Sequence, residues 1–299
     1  PSGVVAFGRD QESSRAVWSA ELGYPGDQRY REFYRDIGFD LEMNYLTQYV
    51  GHPGHRRATG IKYHRITGTK IELHDKEPYN EDEAREAANS HAAHFLFSRQ
   101  QQVLHLNSLM EERPPIIVSP YDAELFGHWW YEGPQFLDFL VRKIHYDQDD
   151  IALTTPMEYL ENFPENQVGT PSMSSWGFGG FSEVWLEGSN DWIYRHLEEA
   201  AERMIGLAND FPEAEGEILR ALNQAAREVL LAQASDWAFI MKTGTVVDYA
   251  TRRTKQHVAN FHALHDAIRA GDVDTFFLER LESRDNLFPE IDYRVYRSR

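Results

Sequence analysis

Apolar residues fall into three short runs in the first half of the chain and into long helical stripes in the second. Val4-Val5-Ala6-Phe7 gives way to the polar Gly8-Arg9-Asp10, a pattern that predicts a buried strand delivering a loop. Ile116-Ile117-Val118 and Ile151-Ala152-Leu153 predict two more such strands. Between them, Asn80-Glu81-Asp82-Glu83 reads as a helix N-cap with a capping-box Glu. It opens a long polar helix that runs to about Arg113, where Pro114-Pro115 stops it. Helical spacing resumes from Phe136 to Ile144, and a short helix is expected from Met157 to Phe163. Strand, loop, helix, strand is the order of parallel βαβ units, in which chemistry gathers at the C-terminal ends of the strands. Only about three strands are found where a closed parallel barrel takes about eight. Half of the sheet is therefore expected either from a longer native chain or from a second polypeptide.

The segment from Gln11 to about Tyr79 breaks this rhythm with Gly, Pro, Tyr and charge, and reads as an irregular insertion with a hairpin around Gly68. From about Ser189 onward the pattern is nearly all helix. Ile193, Leu197, Ala200, Ala201, Met204 and Ile205 form one stripe, and Ile218, Leu219, Leu222, Ala226, Val229 and Leu230 form the next. Pro212 suits the first turn of that second helix, and further helices are expected over Thr251 to Arg269 and Asp272 to Leu281. The expected domains are residues 1–165, holding the strands and the insertion at about 11–79, and residues 166–299, a helical bundle.

Composition narrows the partners. With 48 acidic residues against 30 Lys and Arg, the 299-residue chain has a formal charge of −18, and its basic runs are no longer than pairs such as Arg56-Arg57. That argues against nucleic acid or an anionic membrane as a partner. The chain has no cysteine, which removes thiolate nucleophiles, disulfides and Cys-based metal sites together. No apolar stretch approaches the ~18 residues needed to span a bilayer, and Pro1-Ser2-Gly3 does not start a signal peptide, so a soluble, cytoplasmic protein is expected.

The candidate chemistry lies directly after the Ile116–Val118 run, in Ser119-Pro120-Tyr121-Asp122-Ala123-Glu124-Leu125-Phe126-Gly127-His128-Trp129-Trp130-Tyr131-Glu132-Gly133-Pro134. Sugars have apolar faces and hydroxyl rims, so their sites combine aromatic platforms with carboxylates and imidazoles. An Asp held among rings would have its pKa raised by desolvation and could donate a proton to a glycosidic oxygen. The same residues also suit a plain structural loop, with Trp129 and Trp130 in the core and Asp122 capping the next helix. His-x-x-His occurs at His52/His55, His91/His94 and His262/His265, but no third ligand is spaced convincingly, so neither metal nor other cofactor is expected.

The string Tyr121-Asp122-Ala123-Glu124-Leu125-Phe126-Gly127-His128-Trp129-Trp130 resembles the fourth sequence region of glycoside hydrolase family 57, whose Asp is the acid/base catalyst. Val17-Trp18-Ser19-Ala20-Glu21, Gly23-Tyr24-Pro25-Gly26-Asp27, Tyr30 to Asp36, Ser174-Ser175-Trp176-Gly177 and Ser235-Asp236-Trp237 resemble its branching enzymes. The resemblance covers essentially the whole chain and implies the C-terminal portion of a glycogen (1,4-α-glucan) branching enzyme. It implies an α/β fold, an incomplete (β/α)7-type barrel with an inserted subdomain and a C-terminal helical domain. It also implies a retaining double displacement with Asp122 as acid/base. The family's nucleophilic Glu and His-x-His motif lie in earlier regions that have no counterpart in these residues.

The implied glucan contacts are Arg9, Trp18, His128, Trp129, Trp176, Trp185, Asp236 and Trp237. For several of them a structural role competes: a salt bridge at Arg9, an interface plug at Trp176 or Trp185, and helix capping and packing at Ser235 to Trp237. The implied partners are an α-glucan such as amylose or glycogen and the N-terminal half of the same enzyme. α-Amylase and 4-α-glucanotransferase activities, and a non-catalytic glucan-binding fragment, are the alternatives.

Overall fold

The structure, a computed structural model, describes residues 3–50, 55–110 and 113–298. The chain forms two compact units, Pro1–Gly169 and Thr170–Arg299. The first contains helices α1 (Gln11–Trp18), α2 (Ile37–Asp40), α3 (Met43–Val50), α4 (Glu81–Leu109), α5 (Gly133–Tyr146) and α6 (Pro156–Asn162). The second contains α7 (Tyr194–Asp210), α8 (Gly216–Ala232), α9 (Asp236–Thr243), α10 (Val247–Ala270) and α11 (Thr275–Arg284).

The expected incomplete (β/α)7 barrel is not what forms. Among the described residues 56% are helical and there is no strand or sheet. The apolar runs at Val4, Ile116 and Ile151 are extended but make no ladder. Their one parallel bridge joins Arg9 to Val118, with the Asp10 N–H donating to the Val118 carbonyl at 2.8 Å. A parallel strand is stable when neighbours bond both of its edges and helices cover both of its faces. The second condition is not met here: Val4 is 84% exposed and Leu153 62%. Their β-forming residue types report a preference that the described residues do not extend into a strand.

The helices follow the sequence more closely. Asn80 caps α4 by accepting from the Asp82 and Glu83 N–H groups, and three acidic residues in the first turn suit the helix dipole. The helix ends at Leu109, short of the expected Arg113. Its buried stripe, Ala84, Ala87, Ala88, Ala92, Phe95 and Leu96, recurs at three- and four-residue steps and packs on Phe136 and Leu140 of α5. Small alanines let the two helices approach closely. At α6, Thr155 and Glu158 complete a reciprocal capping box with Pro156 in the first turn.

The insertion between α1 and α4 is irregular but organised. The chain reverses around Gly68, with Arg65 N–H donating to the Glu77 carbonyl and Tyr79 N–H to the Tyr63 carbonyl, both at 2.9 Å. Buried Asp36 holds the preceding loop: it accepts from the N–H groups of Gly38, Thr59 and Gly60 at 2.8, 2.9 and 2.8 Å. Lys62 stands 3.2 Å away. Burial alone would push this carboxyl up, yet the donors outweigh it and hold it far below the usual carboxylate range.

In the second unit Met204, Leu207, Leu222, Val229, Phe261, Leu264, Leu278 and Leu281 form one core. Each such side chain is worth about 1.5–3 kcal/mol of burial. Pro212 lies before α8, which begins at Gly216, rather than within its first turn. The Pro212 carbonyl instead accepts from Arg294 Nε at 2.9 Å. Within this core His257 Nδ1 pairs with Glu228 Oε2 at 2.7 Å, with both residues fully buried.

Candidate active-site loop

Residues 119–134 form a loop tied down at both ends. On one side Ser119 Oγ meets Ser13 Oγ at 2.5 Å, and the Tyr121 hydroxyl donates to the Ser13 carbonyl at 3.0 Å. Burial pushes the Tyr121 phenol up to about 12, so it remains a donor at neutral pH. On the other side the buried Glu132 accepts from the Arg31 N–H at 3.0 Å. Burial raises the Glu132 carboxyl above its ordinary value, partly offset by Tyr79 and by that N–H.

Between these anchors the loop turns its apolar residues inward. Leu125 and Trp130 are buried, and the Trp130 ring lies 5.0 Å from Phe136, 5.6 Å from Tyr30 and 6.2 Å from Phe126. Gly127 sits at φ +99°, a conformation that only glycine adopts easily, and its N–H closes the turn on the Trp130 carbonyl at 2.8 Å. A Cβ at Gly133 would stand 2.9 Å from Phe126 Cα, so the loop can meet α5 this closely only with glycine there.

Asp122, Glu124 and His128 stand outward, as do Ala123 and Tyr131. Asp122 begins the turn Ala123–Leu125 through its carbonyl, which accepts from Leu125 N–H at 3.1 Å; its side chain makes no capping bond. Its carboxylate is exposed and not enclosed by aromatic rings as the sequence pattern suggested, because the rings that would enclose it pack into the core. The capping role considered for its side chain is also absent. The exposed carboxylate is open to a ligand.

The other expected residues divide between the units. In the first, Arg9 is exposed and its Nε donates to Ser14 Oγ at 3.0 Å, while Trp18 and Trp129 are half-buried against the core around Trp130. The imidazole of His128 stands edge-on to Phe33 at 5.9 Å. In the second, Trp176 is half-exposed beside a turn in which Gly177, Gly179 and Gly180 all have positive φ, and its carbonyl accepts from the Trp185 indole N–H. Trp185 is half-buried on the cluster formed by Ile193, Trp237, Ala238, Met241 and Ala250. Trp237 is a core residue whose Nε1 donates to the Leu231 carbonyl at 2.8 Å. Asp236 is exposed in the first turn of α9, where Ser235 makes no side-chain cap.

The histidine pairs are engaged elsewhere. His91 and His94 meet the hydroxyls of Tyr30 and Tyr24 at 2.7 and 2.8 Å, and His262 and His265 meet Arg203 and Asp266 at 3.3 and 2.9 Å. His52 lies outside the described residues. Glu228, His257 and Asp285 bring possible ligand atoms within 4.8 Å of one another. Both Glu228 oxygens already accept, from Gln224, His257 and Asn260, and Arg284 and Arg253 flank Asp285. Guanidinium groups beside the acid make this an ion-pair network that a further divalent charge would oppose. The sequence pattern did not point to Asp36, Glu132 or Tyr79, which organise the loop and its support. A charged residue inside an otherwise aromatic stretch was the only available cue.

The chain is similar to branching enzymes of the GH57 type. Residues 196–296 match the family described as 1,4-alpha-glucan branching enzyme, C-terminal. A 1,4-alpha-glucan branching enzyme of Thermococcus kodakarensis is 34% identical over 295 residues, covering 96% of this chain and 40% of that protein. Among solved structures, the GH57-type branching enzyme of Pyrococcus horikoshii is 34% identical with a TM-score of 0.78, over 98% of this chain and 52% of that one. A protein of Thermotoga maritima described as a novel alpha-amylase is 48% identical with a TM-score of 0.81, over all of this chain and 56% of that one. The chain thus spans about half the length of the proteins it matches.

Proposed function

We propose that the chain is the acid/base-bearing portion of an α-1,4-glucan branching enzyme that acts in glycogen biosynthesis in the cytoplasm. The observation that carries this reading is similarity to GH57-type branching enzymes along nearly the whole chain, together with the match of residues 196–296 to their C-terminal domain. In the proposed reaction a nucleophilic Glu supplied from outside these residues attacks the anomeric carbon, and Asp122 protonates the departing glycosidic oxygen. A glucan 6-hydroxyl then gives its proton to the Asp122 carboxylate as its oxygen displaces the Glu, leaving an α-1,6 linkage with the anomeric configuration retained. Such a double displacement needs the two carboxyl groups about 5–5.5 Å apart. The exposure of Asp122 supports the reading, because the acid must reach a bond in a bulky polymer.

On this proposal Arg9, Trp18, His128 and Trp129 are glucan contacts of the first unit, and Trp176, Trp185, Asp236 and Trp237 are glucan contacts of the second. The polypeptide that provides the nucleophile is the N-terminal half of the same enzyme. A second reading rests on the Thermotoga maritima neighbour: with water as acceptor the same machinery is an α-amylase. Incubating amylose with the intact protein separates the two. Branching predicts new α-1,6 linkages by proton NMR without a matching rise in reducing ends. Reducing ends without α-1,6 linkages would replace it with hydrolysis.

A further inference from the structure

Two segments distant in sequence run side by side next to the Asp122 loop. Tyr30 packs on Trp130 at 5.6 Å, the Arg31 N–H bonds Glu132, and the Arg31 guanidinium lies 3.7 Å over the Tyr131 ring. Two residues on, Phe33 meets His128 edge-on at 5.9 Å and 87°. Tyr34 then stands edge-on to Phe33 at 5.2 Å and 85° while remaining 71% exposed. Its backbone is fixed, since its N–H donates to Glu32 Oε1 at 2.8 Å, and Glu32 is a buried residue paired with Lys76 at 3.3 Å. Lys62 Nζ lies 5.8 Å from the Phe33 ring centre and is held by Asp36.

Tyr34 is therefore an exposed ring held by a second ring and a pinned backbone, so binding a ligand against it immobilises little more of the protein. A pyranose ring presents C–H groups to such a face and hydroxyls to its rim. Lys62 and His128, flanking Phe33, supply N–H donors to match those hydroxyls.

We propose that Phe33 and Tyr34 form a stacking subsite for a glucosyl ring of a linear α-1,4-glucan, continuous through His128 with the loop that exposes Asp122. This rests on the reading that the protein processes α-glucan, and it assigns binding to the insertion rather than to the loop alone.

The test is calorimetric titration of the intact protein with maltoheptaose, beside Tyr34→Ala, Tyr34→Phe and Phe33→Leu. Tyr34→Ala is expected to weaken binding roughly tenfold, the loss of one stacking contact. Tyr34→Phe, which keeps the ring, should stay within about twofold of the parent on the same grounds. Phe33→Leu, which keeps apolar bulk but removes the supporting ring, should weaken binding as well. Equal affinity in the parent, Tyr34→Ala and Phe33→Leu would overturn the subsite and leave the glucan reading standing. A parent protein that does not bind maltoheptaose would overturn both.

Discussion

Glu132 shows how a single buried charge ties together segments that the sequence keeps apart. Its carboxyl has no exposure, one oxygen accepts from Arg31 N–H, and burial raises its pKa. The folded state therefore binds this proton more tightly than the unfolded chain does. Below the ordinary Glu pKa of about 4.3 the group is protonated in both states and carries no penalty. As pH rises through the raised folded value, ionisation costs stability until the penalty is complete. Glu132→Gln keeps a carbonyl for Arg31 N–H and removes the charge. Thermal melts from pH 4 upward should show the variant gaining on the parent as pH rises; parallel curves would contradict this. Nothing in the spacing of Tyr131-Glu132-Gly133 indicates that this acid is buried, because its partner lies 101 positions away. Asp122, by contrast, stands out in its motif as the proposed acid, whereas its exposure was not legible.

Helices were readable where apolar residues recur at three- and four-residue steps, and the second unit follows its stripes closely. The apolar runs Val4–Phe7, Ile116–Val118 and Ile151–Leu153 misled for a physical reason. A short run records the residues' β preference, whereas a strand exists only if other segments supply edges and cover. The same distinction applies to Trp129 and Trp130, where adjacent identical residues divide into a half-buried and a core position. Among the helices, α8 is the central element of its unit, and Leu222 is fully buried there among Met204, Leu207 and Leu278. Leu222→Ala leaves a cavity that neighbours on several helices cannot all close. It should cost about 2–5 kcal/mol, read by urea denaturation of the parent and variant. A cost below about 1 kcal/mol would mean that this core collapses around the gap.

At the scale of the whole molecule, the Asp122 loop and the residues that match the C-terminal family of branching enzymes fall in different compact units. The first unit contributes a short exposed acidic surface braced by a buried aromatic cluster, and the second a helical bundle with half-exposed Trp176 on a glycine-rich turn. The fold was legible in its helical half and not in its expected barrel. The family resemblance was legible in the 121–130 motif and along the chain. The chain covers 40% of the Thermococcus kodakarensis protein and 56% of the Thermotoga maritima one, so the complete activity is a proposal for it.

The central claim is that Asp122 handles the proton of the glycosyl transfer. It is tested most directly by branching of amylose with the intact protein beside its Asp122→Asn variant. That change preserves shape and removes the titratable proton. An exposed side chain without a capping role should leave folding unaffected, so circular dichroism should be unchanged. Activity is expected to fall by about 100-fold or more, the usual contribution of a general acid/base. Equal activity in the parent and variant would contradict the assignment and with it the mechanism proposed here.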